Sequence, residues 1–455
     1  MSMEKYNKIH FIGIGGISMS SLAEILKSKG KTITGSDGVA SNVTKALENI
    51  GIQVSIGQKA ENITPDTDLI VYTAAVREDN PELMAARASG IETVDRAALV
   101  GMMMLEYKFP LSVAGTHGKT TTSSLVTEIF LEAKANPTVS IGGILPSIKG
   151  NYKVGGEDYF ILETCEYCDS FLKFNPHGAI ILNIDADHLD YFKNLDNIYK
   201  SFNKFANRLP EGGFLVINNE IPRLSEVLEG VKAKVITYGK DNTADWYPTD
   251  VTFNDLGHAT YTVNHKGEKV AKVELSIPGK HNVLNALACI TLCDAYGIEV
   301  SYMQTALKKF TGADRRFEFK GTVNGAKVYD DYGHHPTEVA ATAKALKNKK
   351  YNQSWVVFQP HTYSRTFNLL DDFAQALLSF DNIIVTDIYA ARETNTYNIS
   401  SEDLVNAIIK QGKDAKYIPS LEACASYLKD NVKADDIVLT LGAGTVTNIG
   451  PMIVE

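Results

Sequence analysis

The chain has 455 residues, room for about three domains of ~150 residues, and its 44% hydrophobic and 22% charged composition is that of a soluble globular protein. A net charge of −9, from 45 basic against 54 acidic residues with no basic run, argues against nucleic acid as a partner and leaves only local pockets for anions. No apolar run approaches the ~20 residues of a membrane span, and MSMEKYNKIHFIGIGG enters a strand without a leader peptide, so no membrane partner and a cytoplasmic location are expected.

From Lys8 to about Tyr107, β-rich runs (Ile9–Ile12, Lys31–Thr34, Val54–Ile56, Leu69–Tyr72) alternate with helical stretches such as Ser18–Lys29. That rhythm predicts a parallel sheet of Rossmann-like form. Gly13-Ile14-Gly15-Gly16-Ile17-Ser18 follows the first strand, where glycines let a backbone approach a pyrophosphate at a helix N-terminus. Asp37, after the second strand, has the place of a ribose-binding acid, but the third glycine of G-x-G-x-x-G is Ser18. The loop points to a nucleotide diphosphate without specifying NAD, and a tight turn with no ligand is its bland alternative.

A second unit opens with strand Leu111–Ala114 running into Gly115-Thr116-His117-Gly118-Lys119-Thr120-Thr121 and a helix. This is a P-loop with two residues between its glycines where four are usual. Backbone N–H groups would ring the phosphates, Lys119 would neutralise the β/γ oxygens and Thr120 would reach Mg²⁺. Strands Tyr159–Glu163, Ala179–Asn183 and Phe214–Asn218 continue the unit. Glu163 and Glu166 follow the first of these, and Asp185, Asp187, His188 and Asp190 the second. Loops at the carboxyl ends of parallel strands meet around one site, and carboxylates there suit a hard cation. Between about Lys234 and Ile277, alternation around Gly turns predicts a small antiparallel insertion, followed by helix His281–Tyr296.

A third unit carries strands Lys327–Asp331, Ser354–Phe358, Asn382–Asp387 and Asp436–Thr440, with a boundary at Gly312–Phe317. Its histidine loops, Asp330-Asp331-Tyr332-Gly333-His334-His335 and Gln359-Pro360-His361-Thr362-Tyr363-Ser364-Arg365, end adjacent strands and read as the edge of a polar cleft. The five cysteines are odd in number and lack the second ligand pair that would make Cys165-Glu166-Tyr167-Cys168 a zinc site, so ordinary thiols are expected.

GTHGKTTT, ETCEYCDSFL, NIDADHLDYF, IPGKHNVLNALA, GADRRFE, DDYGHHPTE and FQPHTYSRT, in this order, resemble the Mur ligases of peptidoglycan synthesis, and the last two resemble the alanine-adding branch. The resemblance runs from about His10 to Gly442-Ala443-Gly444-Thr445. It implies an α/β protein of three domains: a Rossmann-like UDP-sugar-binding domain (1–107), a central P-loop ATPase domain with a small antiparallel insertion (108–317) and a Rossmann-like amino-acid-binding domain (318–455). The implied substrates are ATP, UDP-N-acetylmuramate and L-alanine, with Mg²⁺ or Mn²⁺ as cofactor, in a monomer or homodimer. Gly13, Gly15, Gly16, Ile17, Ser18 and Asp37 would then hold the UDP-sugar, and Gly115 to Thr121 the ATP phosphates.

The resemblance also implies that Glu166 and His188 join Thr120 at the metal and that His281, Asn282 and Asn285 lie by the adenine. Arg316 would reach the γ-phosphate, Asp331 the ATP ribose, and Arg365 the amino acid's carboxylate with His334 and His361 nearby. Lys119, Arg316 and, on side-chain chemistry alone, His334 as general base make up the catalytic set. Where many relatives read D-E-S-D, this chain reads Cys165-Glu166-Tyr167-Cys168, so only the glutamate is assigned to the metal. Asn203 holds the place of the carbamylated lysine of some relatives, and no carbamyl-lysine is expected. With sites on three domains, closure is expected to assemble the reactants. Competing readings are a ligase that recycles preformed peptides, a dinucleotide-dependent oxidoreductase built on the first glycine loop, and a P-loop switch protein.

Overall fold

A computed structural model describes residues 3–346, 349–391 and 393–454, except the side chain of Asp190. The chain divides into two compact units: the first runs up to Trp246 and takes in Ala288–Met303, the second holds Tyr247–Leu287 and everything from Gln304 onward. No helix among the described residues is long and apolar enough to cross a membrane.

The first unit contains a five-stranded sheet of β1 (Lys8–Ile12), β2 (Thr32–Asp37), β3 (Gln53–Ile56), β4 (Leu69–Tyr72) and β5 (Glu92–Asp95), ordered β3-β2-β1-β4-β5. Every pairing in it is parallel. The order reverses at β1, so the Gly13 loop lies at the switch point where open α/β sheets take ligands. β5, half-buried along its length, gives too weak an apolar signal to be read from sequence.

The same unit holds β6 (Phe109–Ala114), β7 (Thr138–Leu145), β8 (Gly150–Lys153), β9 (Tyr159–Glu163), β10 (Gly178–Ile181), β11 (Phe214–Asn218) and β12 (Lys234–Tyr238), ordered β12-β11-β10-β6-β9-β7-β8. β6 is flanked by β9 and β10, both parallel to it, so the loops after these strands converge on the P-loop. One expectation needs correction. Lys234–Tyr238 is not part of the antiparallel insertion but pairs parallel with β11 in full register. Period-2 alternation marks a half-buried strand and does not distinguish a parallel edge from a hairpin arm. One hydrophobic core joins both sheets of this unit, from Phe11 and Leu22 to Phe171, Phe202 and Ile217, so its two sheets form one compact body.

In the second unit β13 (Trp246–Phe253), β14 (His258–His265) and β15 (Glu268–Pro278) form the insertion, with β14 and β15 antiparallel around the Lys266-Gly267 turn. Its six-stranded sheet contains β16 (Glu318–Val323), β17 (Ala326–Asp331), β18 (Ser354–Phe358), β19 (Asn382–Val385), β20 (Ala415–Tyr417) and β21 (Ile437–Leu441), ordered β16-β17-β21-β18-β19-β20. Only β16 runs antiparallel. The neighbours β17, β21 and β18 end in the segments carrying Asp331, Gly442 and Gln359, so the motif-bearing loops share one edge.

Candidate active site

In the first unit, the Gly13 loop is held by its own strands. Gly13 and Ile14 donate their N–H groups to the Ser36 carbonyl at 2.8 and 2.9 Å, and Gly15 donates to Asp37 Oδ2 at 2.9 Å. Asp37 therefore braces the loop rather than standing apart from it. Helix Ile17–Ser28 starts at Gly16 without a side-chain cap, which leaves its first turn to meet an anion. Ile17 is exposed beside it, and behind the loop a buried network joins His10 to Glu82 and Glu82 to Ser36.

The shortened P-loop is built differently from the expected ring of amides. Gly118, at φ 84, turns the chain into helix Lys119–Glu132, a conformation that costs a residue with a side chain. The Thr116 N–H donates to the Asn183 carbonyl at 3.2 Å, and the His117 N–H to Asn183 Oδ1 at 2.8 Å. Asn183 returns a hydrogen bond to the His117 carbonyl at 3.0 Å, and the Asp185 N–H donates to Thr116 Oγ1 at 2.9 Å. The imidazole of His117 turns to Asp185 at 3.2 Å. The loop after β10 thus clamps the first half of the P-loop and occupies the Thr116 and His117 amides. Sequence reasoning missed Asn183; its place at the end of a strand beside the P-loop strand was the available signal.

Lys119 folds over this loop, donating to the Gly115 carbonyl at 2.6 Å, the Thr116 carbonyl at 3.0 Å and Glu166 Oε2 at 3.3 Å. Burial pulls its ammonium down, but Glu166 foremost, with Cys165 and Glu163, holds it above its ordinary value. It is charged at any physiological pH. Thr120 donates to Glu163 Oε1 at 3.0 Å, while Gly142 N–H and Ser123 Oγ reach Glu163 Oε2 at 2.8 and 3.5 Å. Glu163 is thereby the hub of the P-loop threonine, a role outside the residues assigned from sequence.

Glu166 is 2% exposed, and its Oε1 has no hydrogen-bond partner. A buried, unsatisfied carboxylate oxygen is costly, and a cation beside it removes that cost. This fits the residue to Mg²⁺ or Mn²⁺. His188, in left-handed conformation at φ 53, packs its ring 4.6 Å from that of Tyr167, the residue after Glu166. Asp169 anchors this corner through Tyr191 and Ser201. The side chain of Asp190 lies outside the described residues. Burial lifts the Cys165 thiol to about 11, and all five cysteines are free, as ordinary thiols are. Asn203 donates to the Glu226, Val227 and Glu229 carbonyls at 3.0, 3.1 and 2.8 Å, closing the end of helix Leu224–Leu228. Its amide is a structural fastening.

The remaining assigned residues belong to the second unit. Asn282 donates to the Pro278 carbonyl at 2.7 Å and accepts from Asn285 at 3.0 Å, at the start of helix His281–Ala295. Burial holds the His281 imidazole below its ordinary value, so it is neutral. Arg315 is the structural partner of the pair: it reaches Asp330 at 3.2 Å and the Gly442 carbonyl at 2.6 Å. Arg316 lies over Tyr332, 5.0 Å from the ring centre, a cation–π contact that aims it. Asp331 accepts from Gly333 N–H at 2.8 Å and Phe317 N–H at 2.9 Å. Burial outweighs Arg316 and lifts its carboxyl to about 6.

The three residues assigned to the amino acid by resemblance lie together. The His334 and His361 rings stand 5.6 Å apart edge to face, and Arg365 NH1 approaches His361 Nδ1 at 3.1 Å. His361 stacks on Tyr389. His334 Nδ1 lies 3.1 Å from the Tyr332 carbonyl, which requires a proton on Nδ1 and makes Nε2 the basic nitrogen. Thr362, at φ 65, caps the short helix that carries Arg365.

Three successive stretches match family descriptions: residues 8–108 the "Mur ligase family, catalytic domain", 113–293 the "Mur ligase middle domain" and 315–444 the "Mur ligase, glutamate ligase domain". A UDP-N-acetylmuramate–L-alanine ligase of Agathobacter rectalis is 50% identical over 97% of this chain and 96% of that protein. One of Caldanaerobacter subterraneus subsp. tengcongensis is 47% identical over 100% of this chain and 99% of its own. The solved UDP-N-acetylmuramate–alanine ligase of Thermotoga maritima aligns with a TM-score of 0.82 at 30% identity, covering 98% of each chain. A murein peptide ligase of Psychrobacter arcticus aligns at 0.74 and 26%, again over 98% of each. The fold is the three-domain α/β fold of these ligases, and the chain belongs to the Mur ligase family.

Proposed function

We infer that the protein is an ATP-dependent ligase joining L-alanine to the lactyl carboxylate of UDP-N-acetylmuramate, in the synthesis of peptidoglycan precursors. The observation that carries the chemistry is the set Lys119 and Thr120 after β6 with Glu163 and Glu166 at the end of β9, joined by hydrogen bonds. A carboxylate is a poor acyl donor because oxide would have to leave. Transfer of the γ-phosphoryl group makes an acyl phosphate; the neutral amine of alanine attacks its carbonyl, and phosphate departs from the tetrahedral intermediate. Such a reaction needs positioned reactants and neutralised charge.

Lys119 and Arg316 are assigned to the γ-phosphoryl oxygens, the amides from Gly118 onward to the phosphates, and His281, Asn282, Asn285 and Asp331 to the nucleoside. A divalent cation held by Thr120, Glu166 and His188 would neutralise charge on the transferring group. The Gly13 loop takes the UDP-sugar. Arg365 takes the alanine carboxylate, and His334 Nε2 receives the ammonium proton. The reading places the reaction in the cytoplasm and the domain boundaries near 107 and 317. The higher identity and TM-score of the alanine ligase favour alanine over a preformed peptide as acceptor. The test is phosphate release with UDP-N-acetylmuramate and a panel of amino acids and tripeptide. Turnover that requires both UDP-N-acetylmuramate and L-alanine is expected; turnover with tripeptide and none with L-alanine would overturn the assignment.

A further inference from the structure

We propose that Arg96 receives the carboxylate of the acid substrate and holds it toward the phosphate loop. The inference rests on the substrate reading above and names a residue for it. Arg96 is the first residue of helix Arg96–Met104, directly after β5, at the same carboxyl edge of the sheet that carries the Gly13 loop. With its diphosphate at that loop, a nucleotide sugar running past β4 would bring its acid end to β5.

The carboxylates near Arg96 are bonded to other groups. Its neighbour Asp95 is committed elsewhere, with Oδ1 accepting from Ala98 N–H at 2.8 Å and Oδ2 from Lys173. Glu166 gives one oxygen to Lys119, and the other is the one assigned to the cation. Among the described residues Arg96 forms neither a hydrogen bond nor an ion pair. Yet the guanidinium is partly buried, and burial draws its pKa below the ordinary arginine value. Its charge is felt at the Cys165 thiol, where that of Lys119 is felt as well. The Lys173–Asp95 ion pair and the Asn175–Gly101 hydrogen bond tie its helix to the segment that follows Glu166, the partner of Lys119. Arg96 therefore lies at the joint between the sheet assigned to the UDP-sugar and the sheet of the P-loop.

A guanidinium presents a planar fork of donors that matches a carboxylate two bonds at a time. The helix that carries it is held firmly. Asn175 donates to the Gly101 carbonyl at 3.0 Å, and Gly101 approaches so closely that an added Cβ would lie 2.0 Å from the Lys173 carbonyl oxygen. The backbone that carries the fork is thus fixed, and a carboxylate arriving there exchanges its water for the guanidinium's donors.

The test compares binding of UDP-N-acetylmuramate with that of UDP-N-acetylglucosamine, the same nucleotide sugar without the lactyl carboxylate, by calorimetry on the full-length protein. The wild type should prefer the acid. Arg96→Ala should reduce that preference about tenfold or more and change affinity for the carboxylate-free sugar less than about twofold. Arg96→Lys, which keeps the charge without the fork, should retain part of the preference. If the alanine variant does not fold, Arg96→Gln takes its place, with an unchanged melting midpoint required. Equal losses for both sugars would move Arg96 to the diphosphate and overturn the proposal, as would an unchanged preference. A wild type that binds neither sugar would remove the substrate reading itself, an outcome distinct from a silent Arg96 variant.

Discussion

Lys119 and Glu166 divide the work at the P-loop. The lysine satisfies one oxygen of the glutamate, and the other, without a hydrogen-bond partner, is the one proposed for a cation. Lys119→Ala removes the positive charge proposed for the transferring group and should lower kcat by about 10²–10³-fold, measured as phosphate release at saturating substrates. Asp331 behaves in the opposite sense. Its carboxyl titrates near 6 when folded, above its unfolded value, so the folded state binds more protons between those two values. Its charging therefore costs stability as pH rises from about 4 to about 6, by at most about 3 kcal/mol. The melting midpoint of the wild type relative to Asp331→Asn should fall across that window; a difference constant with pH would refute the assignment.

At the residue scale the motifs were legible because phosphate chemistry demands fixed residue types at fixed spacing. GTHGKTTT announced its strand, turn and helix, and Arg365, His361 and His334 meet as the resemblance implied. Asn183 was not legible. An asparagine at a strand end has many uses, and its hydrogen bonds to Thr116 and His117 exist only through the pairing of β6 with β10.

At the scale of elements, the helix Arg96–Met104 and the segment Tyr167–Lys173 form a joint between the first two sheets. Gly101, Asn175 and the Lys173–Asp95 pair make it. Gly101→Ala forces a methyl group into the Lys173 carbonyl and should destabilise the first unit by about 1–3 kcal/mol, read as a lower melting midpoint. Asn203→Ala removes the amide donor from the Glu226 and Val227 carbonyls, while Glu229 keeps Asn207, and should cost about 1–2 kcal/mol by the same measurement. Strand order and the parallel pairing of β12 escaped the sequence because alternation reports one buried face and says nothing of the neighbour's direction. The short, half-exposed strands β5 and β20 escaped for want of apolar residues.

For the whole molecule, residues assigned to a single ATP are divided between the two units, Lys119 in the first and Arg316 and Asp331 in the second. The claim that unites them is that the phosphoryl group goes to the sugar acid's carboxylate and leaves with one of its oxygens. The direct measurement uses UDP-N-acetylmuramate labelled with ¹⁸O in the lactyl carboxylate, ATP and L-alanine, with mass analysis of the released phosphate. The account predicts that ¹⁸O passes into phosphate in step with amide formation. Unlabelled phosphate alongside a full yield of amide would contradict it.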